Sequence, residues 1–182
     1  MERVVLVGFM ASGKTAVGAE LARRLGWAHV DLDREIERRA GTTVAEIFAA
    51  RGEAAFRRME AEATAEVAVR RGVVLSPGGG WITHPALLES LGPETLAVWL
   101  VVSAEEAVRR AGTAPGERPL LAGPDPLGAA RRLLEQRTPL YARAGLAVPT
   151  EGATPAEVAE QIERFIRARS PSAAQTSERN RA

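Results

Sequence analysis

Residues 8–15 read Gly8-Phe9-Met10-Ala11-Ser12-Gly13-Lys14-Thr15, which matches the pattern G-x-x-x-x-G-K-[S/T]. A β-branched apolar run at 4–7 precedes this stretch, and apolar residues recur at helical spacing over 16–25 after it. A strand, a glycine-rich turn and a helix in this order bring backbone N–H groups and a helix N-terminus together, where they attract phosphate. The stretch therefore predicts a strand, a phosphate-binding loop and a helix at the start of an α/β fold.

Lys14 is the only lysine among the 24 Lys and Arg residues of the chain. A compact ammonium on a flexible stem holds phosphate as a point charge, and the planar guanidinium of arginine is not equivalent to it. We therefore expect Lys14 to reach the outer phosphates of a nucleotide. The Thr15 hydroxyl beside it is expected to ligate Mg²⁺.

The composition is typical of a globular protein with one domain. The chain has 182 residues, of which 46% are hydrophobic, and its formal net charge is +1. Because so small a charge provides no broad basic face, we expect no nucleic-acid partner. The chain has no cysteine, no signal-peptide pattern and no apolar run approaching about 18 residues. We therefore expect a cytoplasmic protein without a membrane partner. We also expect it to be a monomer.

Five short apolar runs alternate with helical patterns along the chain. The runs lie at 4–7, 29–32, 73–75, 96–102 and 146–148. Such alternation predicts a five-stranded parallel sheet covered by helices.

The final helix has clear start signals. Thr154 is expected to be its N-cap, with Pro155 at the first helical position and Glu157 completing a capping box. We expect a single domain over residues 1–168 that ends with this helix. Residues 169–182 are rich in Ser, Ala, Arg and Gln without apolar periodicity, which predicts a disordered tail.

Two segments depart from simple alternation. Residues 32–72, between the second and third runs, read as helices and not as a single crossover, which leaves room for a substrate-binding insertion. Residues 111–124 are rich in Gly and Pro, which is typical of a loop able to close over a site. The one arginine of that loop is Arg118.

Asp31 and Asp33, two of the three aspartates in the chain, lie together at the end of the second run. Because the carboxyl ends of parallel strands converge, this pair is placed to serve a metal and an acceptor hydroxyl. Asp33 has an equally good alternative explanation. It precedes the helical pattern at 34–40, and aspartate is a favoured N-cap.

The third run is followed by Ser76-Pro77-Gly78-Gly79-Gly80. Three glycines let a ligand approach backbone N–H groups closely, and Ser76 is placed to hydrogen-bond a metal-bound water. The same residues also suit a flexible turn.

Arg57 and Arg137 gain meaning only as a pair. Each alone is most simply a solvated charge on a helix. A guanidinium can hold a carboxylate through two parallel hydrogen bonds, so two of them on converging elements indicate an anionic small-molecule substrate.

Six motifs in order make the chain resemble the shikimate kinases over about residues 4–166. They are the phosphate loop at 8–15, the D-x-D of Asp31-Leu32-Asp33, the F-R-x-x-E of Phe56, Arg57 and Glu60, the triplet Gly78-Gly79-Gly80, the R-P-L-L of Arg118-Pro119-Leu120-Leu121, and the R-x-P-L-Y of Arg137 with Pro139-Leu140-Tyr141. The resemblance implies a P-loop nucleoside-monophosphate-kinase-like three-layer α/β fold, with a five-stranded parallel sheet, a helical substrate-binding insertion and a mobile lid. It also implies transfer of the ATP γ-phosphoryl group to the 3-hydroxyl of shikimate, with Mg²⁺, giving shikimate 3-phosphate and ADP.

The resemblance further implies roles for single residues. The implied nucleotide contacts are Ala11, Ser12, Gly13, Lys14, Thr15, Ala16, Arg110, which lies against adenine, and Arg118, which covers the transferring group. The implied shikimate contacts are Asp33, Gly78, Gly79, Gly80, and the carboxylate-holding pair Arg57 and Arg137. Thr15 would ligate Mg²⁺, and Asp31 and Ser76 would contact it through water. Lys14, Asp33 and Arg118 would be catalytic, with Asp33 as the proton acceptor.

Two other functions share the phosphate loop. A GTP-dependent switch needs N-K-x-D to select guanine, and the only asparagine is Asn180 while the only lysine is Lys14. A gluconate or nucleotide kinase of the same architecture is the closer alternative, which the arginine pair and the D-x-D disfavour. The chain also departs from the family at Ala11, where glycine is commoner.

Overall fold

The computed structural model describes residues 1–112 and 124–169, which form an α/β fold around one parallel sheet. The strands are β1 (Arg3–Val7), β2 (Ala28–Asp31), β3 (Val73–Ser76), β4 (Thr95–Val101) and β5 (Leu146–Pro149). Their order across the sheet is β2-β3-β1-β4-β5, and every neighbouring pair is parallel. The five predicted strands are thus confirmed, with small differences at their ends.

Helices connect the strands. They are α1 (Lys14–Leu25), α2 (Leu32–Ala40), α3 (Val44–Ala68), α4 (Pro85–Ser90), α5 (Ala104–Ala111), α6 (Pro126–Tyr141) and α7 (Pro155–Arg169), with a 3₁₀ turn at Trp81–Thr83. None of these helices is both long and apolar enough to cross a membrane, within the ranges that the structure describes.

Alternating side chains of β1 show how the sheet is covered on both faces. Val5 and Val7 are buried in one apolar cluster with residues of α2, α3, α5 and α6. Val4 and Leu6 point the other way, into a second cluster with residues of α1 and α7. A strand that is buried on both faces reads as a continuous apolar run, as this one does. The predicted three-layer architecture is therefore confirmed.

The strand order reverses at β1, which lies between β3 and β4. In open α/β sheets, ligands bind beyond the carboxyl ends of the strands at such a reversal. The phosphate loop leaves the carboxyl end of β1, and the glycine triplet leaves that of β3. The topology therefore brings these two stretches to the same edge of the sheet.

The segment between β2 and β3 is helical, as predicted, and consists of α2 and α3. Helix α3 is broken at Gly52, which has φ 73° and ψ 170°. Glycine adopts this positive φ without the steric penalty of a Cβ atom. The break divides α3 into two helical parts, and Arg57 lies in the second part.

The final helix begins as predicted. The Thr154 hydroxyl accepts a hydrogen bond from the N–H of Glu157, whose carboxylate in turn accepts one from the N–H of Thr154. This is the expected capping box. Helix α7 ends at Arg169, one residue beyond the predicted end of the domain at 168, so the first residue of the predicted tail at 169–182 is helical. The rest of that tail, residues 113–123 of the predicted lid and the lid arginine Arg118 lie outside the described residues.

Candidate active site

The phosphate loop is tied together by its own hydrogen bonds. The N–H of Ser12 donates to the Phe9 carbonyl at 3.2 Å, and the Lys14 ammonium donates to the Gly8 and Phe9 carbonyls, each at 2.9 Å. The Ser12 side chain is fully buried. The N–H of Ser12, a residue that the resemblance places among the nucleotide contacts, closes the turn of the loop. A helix cannot bond the N–H groups of its first turn internally, and in α1 that turn includes Thr15.

Ala11 has φ 57°, the only positive value at a non-glycine residue in the part of the chain described. The left-handed conformation costs an L-residue about 1–2 kcal/mol because its Cβ crowds the following carbonyl. Glycine avoids this cost, which gives a physical reason for glycine being commoner at this position. The loop geometry is therefore kept here at the expense of local strain.

Asp31 connects the phosphate loop to α2. Its Oδ2 atom accepts a hydrogen bond from the Thr15 hydroxyl at 2.7 Å, and its Oδ1 atom accepts one from the N–H of Arg34 at 3.2 Å. The N-cap of α2 is thus Asp31, and the alternative that Asp33 caps this helix is wrong. The helix starts at Leu32, two residues before the expected start at residue 34, so Leu32 belongs to it and not to β2.

The Thr15 and Asp31 oxygens have the chemistry that Mg²⁺ requires. Mg²⁺ prefers oxygen ligands and usually combines one or two protein groups with phosphate oxygens and water. Since the Thr15 hydroxyl donates its hydrogen bond to Asp31, the lone pairs of the Thr15 oxygen remain available to a cation. The described residues contain no cluster of three or more His, Cys, Asp or Glu able to hold a metal alone. The donor set therefore fits a cation that arrives with a nucleotide.

Asp33 lies in the first turn of α2 and is half-buried. Its Oδ1 atom is buried and has no hydrogen-bond partner among the described residues. The pKa of Asp33 is raised from 3.8 to about 6, mainly by burial and also by the carboxylates of Glu60 and Asp31, while Lys14 opposes this rise. A buried acceptor without a partner is costly, so this atom is placed to receive a ligand hydroxyl.

A cavity of about 400 Å³ joins the phosphate loop to Asp33 and the glycine triplet. Its wall includes Lys14, Thr15, Asp31, Asp33, Ser76, Gly78 and Gly79. One continuous space thus contains groups suited to phosphate, to a cation and to a hydroxyl.

Each glycine of the triplet lies against one predicted substrate group. A Cβ atom on Gly78 would lie 2.9 Å from Oδ1 of Asp33, and one on Gly80 would lie 3.1 Å from Nη2 of Arg57. The carbonyl of Gly79 accepts a hydrogen bond from Nη1 of Arg137 at 2.9 Å. The structure therefore brings Asp33, Arg57 and Arg137 together around the triplet, whose lack of side chains makes this close approach possible.

Arg57 is held by two glutamates. Its Nε and Nη2 atoms donate to Glu53 at 3.2 and 2.9 Å, and Nη1 donates to Glu60. Burial raises the pKa of Glu60, and Arg57 acts against this rise. Sequence reasoning missed the part of Glu53, although its spacing of four residues from Arg57 on one helix is a recognised signal for an ion pair.

Tyr141 is a second residue that sequence reasoning left without a role. It is fully buried, and its hydroxyl donates to the Gly79 carbonyl at 3.3 Å. Gly79 therefore receives hydrogen bonds from two side chains of α6, those of Arg137 and Tyr141.

Arg110 lies on the other side of the phosphate loop. Its guanidinium donates to the Thr150 carbonyl at 2.8 Å, to the Ala11 carbonyl at 3.3 Å and to Glu106 at 2.6 Å. A mainly apolar cavity of about 290 Å³ is lined by Arg110 together with Ala11, Ser12, Gly13, Val17, Thr150, Ala153, Pro155 and Val158. A flat, largely apolar group such as a nucleobase suits this cavity, since ligand sites are mostly apolar with a few polar groups.

Ser76 is held between β2 and α1. Its hydroxyl donates to the Lys14 carbonyl at 3.0 Å and lies 3.0 Å from Nε2 of His29. The sequence analysis assigned no role to His29, which lies 47 positions from Ser76 in the chain.

These features together define the class of the protein. The site combines a phosphate loop at a strand-order reversal with a carboxylate that has a buried oxygen and with two arginines beside one cavity. This combination is typical of P-loop kinases that act on small molecules. A family model described as shikimate kinase matches residues 10–167. The chain belongs to the shikimate kinase family, as its motifs indicated.

Individual relatives agree with this assignment. A shikimate kinase of Moorella thermoacetica is 44% identical over 165 residues, which cover 91% of this chain and 94% of that protein. The structure of shikimate kinase from Acinetobacter baumannii in complex with shikimate has a TM-score of 0.87 at 35% identity, covering 94% of this chain and 96% of that one. A gluconokinase from Sinorhizobium meliloti, with a TM-score of 0.58 at 17% identity and coverage of 93% and 97%, shares the fold alone.

Proposed function

We propose that this protein transfers the γ-phosphoryl group of ATP to the 3-hydroxyl of shikimate, giving shikimate 3-phosphate, ADP and a proton. The observation that carries the proposal is the cavity in which the phosphate loop faces Asp33 and the glycine triplet, with both arginines beside the triplet. Phosphoryl transfer asks a protein mainly to position two substrates and to stabilise charge. The cavity offers groups for both tasks.

The donor end is formed by the loop and the start of α1. The Lys14 ammonium and the N–H groups around Thr15 would stabilise the charge on the β- and γ-phosphates. Mg²⁺, held by Thr15 and the phosphates and contacted through water by Asp31 and Ser76, would neutralise the charge that develops between those phosphates. Arg110 would lie against the adenine in the neighbouring apolar cavity. Arg118, which lies outside the described residues, would cover the transferring group.

The acceptor end centres on Asp33. Its unpartnered Oδ1 atom would accept the hydrogen bond of the substrate 3-hydroxyl and then its proton, as the oxygen attacks phosphorus. A pKa of about 6 leaves this carboxylate ionised at neutral pH while keeping it basic enough to take a proton.

The substrate carboxylate would be held by Arg57 and Arg137. Arginine can form parallel hydrogen bonds to a carboxylate, and both guanidinia lie at the triplet. Glu53 already occupies two donors of Arg57, so we expect the substrate to share or replace that contact. Backbone groups of Gly78, Gly79 and Gly80 would complete the pocket.

The decisive experiment measures ADP release with Mg²⁺ and ATP in the presence of shikimate, gluconate, nucleoside monophosphates or no acceptor. We expect ADP to form in step with the consumption of shikimate, with only background release in the other three reactions. Turnover of gluconate without turnover of shikimate would contradict the proposal and favour the alternative that shares only the fold.

A further inference from the structure

We propose that His29 is a positioning residue, which fixes the Ser76 hydroxyl and through it the start of α1 in the nucleotide site. The proposal rests on the proposed function for its kinetic consequences. Its structural basis is a chain of contacts across three elements. Nε2 of His29 on β2 lies 3.0 Å from Oγ of Ser76 on β3, and that hydroxyl lies 3.0 Å from the Lys14 carbonyl on α1.

The direction of these hydrogen bonds follows from the chemistry of the groups. The Lys14 carbonyl can only accept, so the single hydroxyl proton of Ser76 must point to it. Towards His29 the Ser76 oxygen can then only accept, and Nε2 must carry a hydrogen. The Lys14 carbonyl as acceptor and the His29 imidazole as donor therefore together remove the rotational choice that a serine hydroxyl ordinarily has.

The packing of Gly18 shows that this arrangement is tightly enclosed. A Cβ atom at Gly18 would lie 2.4 Å from Oγ of Ser76 and 2.6 Å from Nε2 of His29. Real Cβ contacts are not this short, so α1 passes over the pair at a position where only a hydrogen atom fits. The φ of Gly18 is not positive, so the contact and not the backbone conformation explains the glycine.

The consequence for the site concerns what Ser76 can offer a ligand. Its proton is committed to Lys14 and one lone pair is committed to His29, which leaves one further lone pair. Ser76 lines the 400 Å³ cavity beside Thr15 and Asp31. The water shell of a cation presents hydrogen atoms, so an acceptor in this place attracts it whereas a donor would repel it. The His29 contact thus fixes Ser76 in the accepting orientation.

The first test is an imidazole ¹H–¹⁵N spectrum of the full chain, which contains only two histidines, His29 and His84. We expect a protonated Nε2 on His29, and a change of its nitrogen shifts in Ser76→Ala that leaves His84 unchanged. A His29 tautomer with hydrogen on Nδ1 alone, or no response to Ser76→Ala, would overturn the proposal. This test does not depend on any activity.

The second test is a double-mutant cycle on MgATP binding, measured by calorimetry, and on turnover. His29→Leu should weaken MgATP binding and lower kcat/KM for MgATP about fivefold, with the shikimate KM unchanged. His29→Gln, which keeps an N–H donor, should recover most of the loss, and His84→Leu should have no effect. In the Ser76→Ala background, His29→Leu should lower MgATP affinity and kcat/KM by less than about a further twofold.

His29 does not act through Ser76 if the fold-losses of the two single variants multiply in the double variant. The same conclusion follows if His29→Leu and His29→Gln lower MgATP affinity and kcat/KM equally. Failure of the proposed function has a different signature. The wild-type protein would then leave shikimate unphosphorylated, while the imidazole spectrum and the MgATP affinities would still decide the role of His29.

Discussion

Asp33→Asn should make the protein more stable while it removes activity. The wild-type pKa of about 6, against an ordinary value of 3.8, means that folding favours the protonated carboxyl. Each pKa unit corresponds to about 1.4 kcal/mol, so the ionised Asp33 reduces the free energy of unfolding by up to about 3 kcal/mol. The amide of Asn carries no charge and escapes this penalty, but it cannot accept a proton.

The sign of the pH dependence follows from the raised pKa. Below about pH 3.8 the group is protonated in both the folded and the unfolded protein, so it causes no penalty. As pH rises through 6 the penalty reaches its full size, so wild type should lose stability relative to Asp33→Asn between about pH 4 and pH 7. Activity should change in the opposite direction, since the ionised carboxylate is the proton acceptor, and kcat should fall as pH drops below about 6.

Urea unfolding of wild type and Asp33→Asn at pH 4 and pH 8 measures the effect directly. The matched control is Glu62→Gln, which neutralises an exposed carboxylate of α3. We expect the free energy of unfolding of the control to agree with that of wild type within about 0.5 kcal/mol at both pH values. A stability difference between wild type and Asp33→Asn that is the same at pH 4 and pH 8 would refute the burial argument. Retention of turnover in Asp33→Asn would refute its role as base.

Four further substitutions test the site. Arg57→Ala and Arg137→Ala should each raise the shikimate KM at least about tenfold and the ATP KM less than about twofold, because a charged hydrogen bond to the carboxylate is lost. Substitution of the exposed neighbour, Arg58→Ala, is the control. Equal effects on the two KM values would contradict the assignment of these arginines to the carboxylate. Lys14→Arg keeps the charge but should lower kcat at least about tenfold, about 1.4 kcal/mol of barrier, and unchanged turnover would contradict the need for a compact ammonium. Ala11→Gly should relieve the left-handed strain and raise the free energy of unfolding by up to about 1 kcal/mol while kcat is retained. Thermal unfolding would detect this gain, and a less stable variant would contradict the strain argument.

The strands and the phosphate loop were predictable from sequence because their signals are local. A strand buried on both faces reads as a continuous apolar run, and residues 4–7 of β1 have that character. Thr154 and Glu157 likewise define the start of α7 within four residues of chain. Local chemistry of this kind leaves few alternatives.

The features that sequence could not decide depend on contacts between distant residues or on a small shift in the start of a helix. Asp31 and Asp33 are both good N-cap residues, and only the backbone shows that α2 starts early enough for Asp31 to cap it. This leaves Asp33 without a local partner, and its burial together with the nearby carboxylates of Glu60 and Asp31 raises its pKa. The contact between His29 and Ser76 spans 47 positions, and no periodic pattern marks it.

The carbonyl of Gly79 has two lone pairs, and Arg137 and Tyr141 each donate a hydrogen bond to it. The peptide plane between Gly79 and Gly80 therefore cannot flip without breaking both bonds. Three successive glycines form the most flexible tripeptide in an unfolded chain, yet here α6 immobilises their centre. The conformational entropy of this segment is lost when the protein folds and not when a substrate binds. The pocket is therefore preorganised for its ligand.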